Sequence, residues 1–256
     1  MPTKIKRYGW VPDLPDHRDH LYAAPPQFLA ALPPSADLRP QCPPVYDQGQ
    51  LGSCTANAIG AAIQFEQMKQ KQKAFTPSRL FIYYNERAME GTVDSDSGAQ
   101  IRDGIKSVGS IGACPETDWP YDITKFQVKP PDPPCYRDAA LGKVVQYQRV
   151  AQSQNQMKGC LASGYPFVFG FTVYDSFEST QVAQTGQVSM PQAGEASIGG
   201  HAVMCVGYDD STQRFMVRNS WGTGWGIAGY FTMPYPYLTD NNLSDDSWTI
   251  RLVAQQ

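Results

Sequence analysis

Three short stretches of the chain hold the residues with usable chemistry. In the first, Gln48-Gly-Gln-Leu-Gly-Ser-Cys54, a thiol stands at the mouth of a segment with helical apolar spacing. A cysteine in a first helical turn sits among unpaired N–H groups at the positive end of the macrodipole, which favours thiolate. Gly49 and Gly52 allow a tight turn and close approach of a substrate, and Gln48 offers a carboxamide donor of the kind an oxyanion site requires. A buried, inert cysteine at a helix start fits the same residues equally well. This segment alone decides nothing.

A nucleophilic thiol needs a base, and the chain has only three histidines, His17, His20 and His201. The first two lie in the proline- and aspartate-rich lead PDLPDHRDH. His201 lies in Gly199-Gly200-His201-Ala-Val-Met-Cys205, where two glycines open an apolar strand-like run, a placement from which an imidazole can project into a cleft. A structural histidine in a core strand is the alternative. The third stretch, Arg218-Asn219-Ser220-Trp221-Gly-Thr-Gly-Trp225, offers Asn219 to fix the tautomer of His201 and Trp221 to shield that bond from water. Taken singly it also reads as a Gly/Trp-rich turn.

Helices early and strands late must position these residues. Ala58, Ile59, Ala62, Ile63 and Phe65 predict a helix from Cys54 to about Lys71 with Ser53 as N-cap. Further helices are expected over Pro77–Met89, Ala99–Val108 and 153–162. Period-two runs predict strands at Lys143–Val150, Tyr165–Tyr174, His201–Tyr208, Phe215–Arg218, Gly229–Met233 and Trp248–Val253. That order implies an α+β fold of two unlike lobes, about 45–140 mainly helical and about 141–253 mainly β. Ten of the 21 prolines precede residue 45, so residues 1–44 should be largely extended and lie on something else.

Composition removes whole classes of function. Lys+Arg 21 against Asp+Glu 24 gives a net charge of -3, and no basic stripe is present for nucleic acid. The longest apolar stretch, Tyr165 to Tyr174, is far short of the ~20 residues of a spanning helix. The first twenty residues carry basic side chains without an apolar run behind them, so no secretory signal is expected. Six cysteines show no CxxC pair; if one thiol is catalytic, at least one of the other five is unpaired.

Together QGQLGSC, GGHAVMCVGYD and RNSWGTGWGIAGYF resemble the papain-like cysteine peptidases of clan CA, family C1. The likeness runs from about Ala36 to Val253 and is nearer in flavour to the bacterial, xylellain-like members than to lysosomal cathepsins. It implies a two-lobed papain-like fold with a helical left lobe, an antiparallel β-barrel-like right lobe and a cleft between them. It implies Cys54 as nucleophile, His201 as base and acid, Asn219 as the orienting residue, Gln48 with the Cys54 N–H as oxyanion hole, and Trp221 as shield. Ser97, Gly98 and Gly200 are the expected substrate-backbone contacts. No cofactor or metal is implied. A cluster from Asp13, Asp16, His17, Asp19 and His20 has ligand types, but such clusters are usually solvated.

Two departures stand out. Leu51 replaces a half-cystine beside the nucleophile, and Thr55 replaces a packing tryptophan. In place of a long prosegment stand about 34 residues, a proline-rich strip that loses little entropy on docking. The expectation is a catalytic domain over residues 35–256, monomeric, acting on peptide or protein substrates. Residues 1–34 then serve either as an intramolecular inhibitor of the cleft or as an arm on the domain's back. The competing functions are a same-triad amidase or transglutaminase-like transferase, and a non-catalytic peptide-binding module.

Overall fold

The computed structural model describes residues 8–254. In chain order the elements are β1 (Leu21–Tyr22), α1 (Pro26–Ala30), β2 (Ser35–Asp37), α2 (Cys54–Lys69), α3 (Arg79–Glu90), α4 (Ile101–Ser110), α5 (Cys135–Ala139), β3 (Val144–Val150), α6 (Gln154–Ala162), β4 (Phe167–Tyr174), α7 (Thr180–Thr185), β5 (Ser197–Asp209), β6 (Arg214–Arg218), β7 (Tyr230–Pro234), α8 (Tyr235–Thr239) and β8 (Ser244–Val253). Helices α2 to α4 pack on one another, and α2 also packs against β5 and β8. Every residue of α2 from Cys54 to Gln67 is buried, which makes it the shared spine of the two halves.

The sheet runs β1-β3-β8-β4-β5-β6-β7, with β2 paired to β5 off that path. It is an open sheet with β1 and β7 at its ends, so the barrel-like lobe is corrected to an open layer. The pairing is antiparallel except for β1 on β3. Strand composition indicates where strands lie, whereas closure depends on register and order, which composition does not carry. Strand β4 is buried over most of its length and β5 from His201 to Tyr208, where their apolar runs lie. Their register sets Phe171 opposite His201 and Thr172 opposite Gly200, so both glycines before His201 lie inside β5 rather than ahead of it.

Local details depart from expectation in two places. Ser53 occupies the N-cap of α2 without capping it, because its hydroxyl pairs with that of Tyr121 at 2.5 Å. Helix α3 begins after Ser78, whose Oγ accepts from Phe81 N at 3.1 Å, and ends at Gly91 in the left-handed region.

The lead segment forms a strap across the domain. Trp10 bridges to Ala99, and His20 O accepts from Arg149 N at 2.8 Å. Beyond β1 and the short helix α1, Pro33 O accepts from Tyr208 Oη at 2.6 Å. The strap is anchored by charge as well. Arg102 ion-pairs Asp19 at 2.6 Å, Arg149 reaches Asp19 at 3.3 Å, and Asp16 pairs with Arg18 at 2.6 Å. The aspartates considered as metal ligands are thereby engaged with arginines. Asp13 is buried, accepting from Trp248 Nε1 at 3.2 Å and Arg102 N at 3.1 Å.

Candidate active site

Cys54 is the first residue of α2, where the loop Asp47–Ser53 turns into the helix. Gly49 makes that turn at φ 60°, and Gly52 N is held by Asp96 Oδ1 at 3.0 Å. Gln48 is buried in the same loop. Its Oε1 accepts from Ser220 Oγ at 2.7 Å and its Nε2 donates to Leu51 O at 2.9 Å, while Gln48 N donates to Ser220 O at 2.8 Å. The loop carrying the thiol and the loop carrying Asn219 are thus stitched together through Gln48.

His201 projects from β5. Its Nε2 lies 2.8 Å from Asn219 Oδ1, which also accepts from Ser220 N at 2.8 Å. Trp221 stacks on the imidazole, with ring centroids 5.1 Å apart and planes 29° apart. The expected orienting bond and its aromatic cover are therefore both present. The other ring nitrogen, Nδ1, is buried and has no hydrogen-bond partner among the described residues. The backbone N–H groups of Ala202, Gly9 and Thr55 close on the Cys54 sulfur. Ala202 is the neighbour of His201, so α2 and β5 meet at the thiol.

Gly9 belongs to the strap, and it explains the most consequential difference from expectation. Cys54 and His201 are each 0% exposed. Burial pushes the thiol up to about 12, against the depression expected at a helix N-terminus; the backbone N–H groups only partly offset it. Burial likewise takes His201 down to about 4, opposed by its bond to Asn219. With the strap seated, the site holds a neutral thiol and a neutral imidazole.

Three consecutive strap residues make the seal. Tyr8 stands edge-on to His201 at 5.8 Å and hydrogen-bonds Glu178 through its hydroxyl. Gly9 lies on Gly52, and its carbonyl accepts from Ala99 N at 2.8 Å. Trp10 donates its N–H to Gly200 O at 2.8 Å, and Val11 N donates to Ala99 O at 3.1 Å. Of the three expected substrate contacts, Gly98 and Gly200 both touch this strap. Ser97 turns its hydroxyl to Thr92 Oγ1, 2.9 Å away, and it is Ala99, two residues on, whose backbone bonds to the strap. The departures at Leu51 and Thr55 are absorbed locally. Leu51 is buried, and Thr55 Oγ1 donates to Glu86 Oε1 at 2.6 Å.

Residues 32–243 match the family described as "Papain family cysteine protease". The chain belongs to the papain family. It is 43% identical to an uncharacterized peptidase C1-like protein of Acanthamoeba polyphaga mimivirus, over 98% of this chain and 89% of the relative. Among solved structures it is similar to xylellain, a cysteine protease from Xylella fastidiosa, with 47% identity, a TM-score of 0.90, and coverage of 100% of this chain and 98% of that one. Procathepsin L 3 of Tenebrio molitor shares the fold at 18% identity and a TM-score of 0.70, covering 92% of this chain and 73% of that one. This chain is accordingly a cysteine protease, a hydrolase of the papain-like α+β fold.

Sequence reasoning missed Tyr8, Gly9 and Trp10 as individual residues, and Ser220 as the link between Gln48 and Asn219. The only available signal for the first three was a Gly-Trp pair in an otherwise proline-rich lead.

Proposed function

We propose that the protein hydrolyses peptide bonds through a thioester on Cys54 and is held latent by residues 1–34. One observation supports both halves of this reading. The Cys54 sulfur is approached by a backbone N–H from Ala202, beside His201, and by another from Gly9 of the strap. The nucleophile and its base share a wall, and the strap sits where a peptide has to lie.

Displacing the strap returns water to the thiol and the imidazole and removes the burial that holds both neutral. The proton then passes from Cys54 to His201, whose imidazolium is steadied through Nε2 by Asn219 Oδ1. The thiolate attacks the scissile carbonyl carbon, and the carbonyl electron pair moves onto its oxygen. Gln48, held by Ser220 with one N–H beyond its bond to Leu51, and the Cys54 N–H stabilise that oxyanion. Collapse breaks the C–N bond as His201 gives its proton to the leaving amine. Neutral His201 then activates water to hydrolyse the thioester.

The test is product analysis of a peptide pool with a primary amine added. Hydrolysed fragments, absent with Cys54→Ala, are expected; amine adducts in their place indicate a transferase, and unchanged cleavage by Cys54→Ala removes Cys54 from the mechanism.

A further inference from the structure

A single peptide unit in the nucleophile loop is held from both ends. Its carbonyl, that of Leu51, accepts from Gln48 Nε2 at 2.9 Å. Its N–H, that of Gly52, donates to both carboxylate oxygens of Asp96, at 3.0 and 3.1 Å. A hydrogen bond to a carboxylate is stronger than one to a neutral acceptor, and it polarises the peptide so that the carbonyl holds Gln48 more firmly. All six cysteines are free, so the loop that carries the thiol has no covalent brace.

Asp96 is itself steered. Tyr83, buried within α3, donates its hydroxyl to Asp96 Oδ1 and accepts from Gly98 N at 3.2 Å. Burial, followed by the bond to Asp96, raises the phenol and keeps it protonated as a donor. The buried Arg87 guanidinium lies 4.0 Å from the centre of the Tyr83 ring. Its Nη1 donates to Val93 O at 2.8 Å and to Ser95 O at 2.9 Å, which fixes the turn that presents Asp96. One relay thus runs from Gly98 N–H through the Tyr83 hydroxyl and the Asp96 carboxylate to Gly52 N–H. Gly9 of the strap lies against the glycines at both ends of it.

We propose that Asp96 is a positioning residue for catalysis, fixing the Leu51–Gly52 peptide and through its carbonyl aiming the Gln48 carboxamide at the oxyanion. Tyr83 locks that loop to the backbone edge at Gly98. This deepens the proposed mechanism and rests on Gln48 being the oxyanion donor. Without the carboxylate, Gly52 N–H loses its acceptor and the peptide is free to rotate. Gln48 is then held from one side only, by Ser220. Misplacing a catalytic group by about 1 Å can cost about 10²-fold in rate.

The experiment is a kinetic cycle on one quenched peptide, in full-length Gly9→Ala, whose added methyl collides with the Gly52 carbonyl and lifts the strap. Asp96→Ala is expected to lower kcat about 10- to 100-fold with KM within about twofold of the parent. Asp96→Asn, which keeps one acceptor oxygen, and Tyr83→Phe should each lower it about three- to tenfold. Once Gln48→Ala is present, Asp96→Ala should cost less than about threefold more, because the group it aims is gone. A kcat within about twofold of the parent, or a loss that multiplies in full with that of Gln48→Ala, overturns the proposal. If Asp96→Ala does not fold, Asp96→Asn and Tyr83→Phe enter the same cycle with the same criteria. Amide exchange in the otherwise wild-type chain decides the point without turnover. There Asp96→Ala should speed exchange of Gly52 N–H and of the Gln48 carboxamide at least about tenfold and leave the β4 and β5 amides protected. A parent that cleaves nothing, or a Gln48→Ala without effect, removes the mechanism instead; exchange then decides the brace, and unchanged exchange at Gln48 overturns it.

Discussion

Gly9 rests on Gly52 so closely that a methyl group added to its Cα would overlap the Gly52 carbonyl. Gly52 stands two residues before Cys54, within the loop that carries the thiol. Gly9→Ala should therefore lift the strap with no change to the catalytic domain. Amide exchange reports this directly: Trp10 and Ala99, whose N–H groups bond to Gly200 O and Gly9 O, should exchange at least tenfold faster than in wild type. Unchanged protection at both would mean that the strap is not held by this contact.

Thiol reactivity should follow the same switch. In the sealed site the thiol is pushed up to about 12 and the imidazole down to about 4, both by burial. Thiolate is the reactive species, so Cys54 of the wild type should alkylate slowly at neutral pH. In Gly9→Ala, with water readmitted, labelling should be fast from mildly acidic pH upward. Mass spectrometry assigns the label among the six cysteines, and equal Cys54 rates in the two proteins would contradict the seal.

The strap's charge anchor predicts a pH dependence. Burial, followed by the nearby Asp246 carboxylate, raises Asp13 to about 7, against the lowering effects of Arg102 and Trp248. Asp246 is itself raised, again by burial first. A free strap aspartate titrates near ~3.9. A group raised on docking stabilises the docked form fully below that value and loses the contribution as pH climbs through about 7. Basal activity of the full-length protein should accordingly rise between about pH 4 and 7. Asp13→Asn, uncharged throughout, should flatten that rise, and a rise of the same size in both proteins would rule Asp13 out.

Gln48 should separate catalysis from binding. Its carboxamide is oriented by Ser220 and bonded to the loop before the thiol. In the strap-released enzyme, Gln48→Ala should lower kcat by roughly 10²–10³-fold with little change in KM, as loss of one oxyanion donor does. A change confined to KM would assign Gln48 to substrate binding instead.

Much of the site was readable before any coordinates, for physical reasons particular to it. With three histidines in the chain, only His201 stands in an apolar run, and only Asn219 follows it inside a Trp-rich turn. Helix α2 and strands β4 and β5 were legible because long apolar runs carry their own periodicity; β5 and β8 nonetheless begin four residues earlier than expected, at Ser197 and Ser244. The short elements α1, α5, α7 and α8 span five or six residues each, too few to show a period. The thiol's upward shift was invisible because it comes from burial, and no local pattern states what will lie on Cys54. The buried bond from Trp10 Nε1 to Asp246 was hidden for the same reason, its two partners lying at opposite ends of the chain.

Peptide turnover by full-length wild type, Gly9→Ala and Gly9→Ala/Cys54→Ala, compared on one quenched substrate, tests the central claim most directly. The account predicts at least a tenfold gain in kcat/KM for Gly9→Ala and no turnover once Cys54 is also replaced. Equal rates for wild type and Gly9→Ala, or cleavage that survives the loss of Cys54, would contradict it.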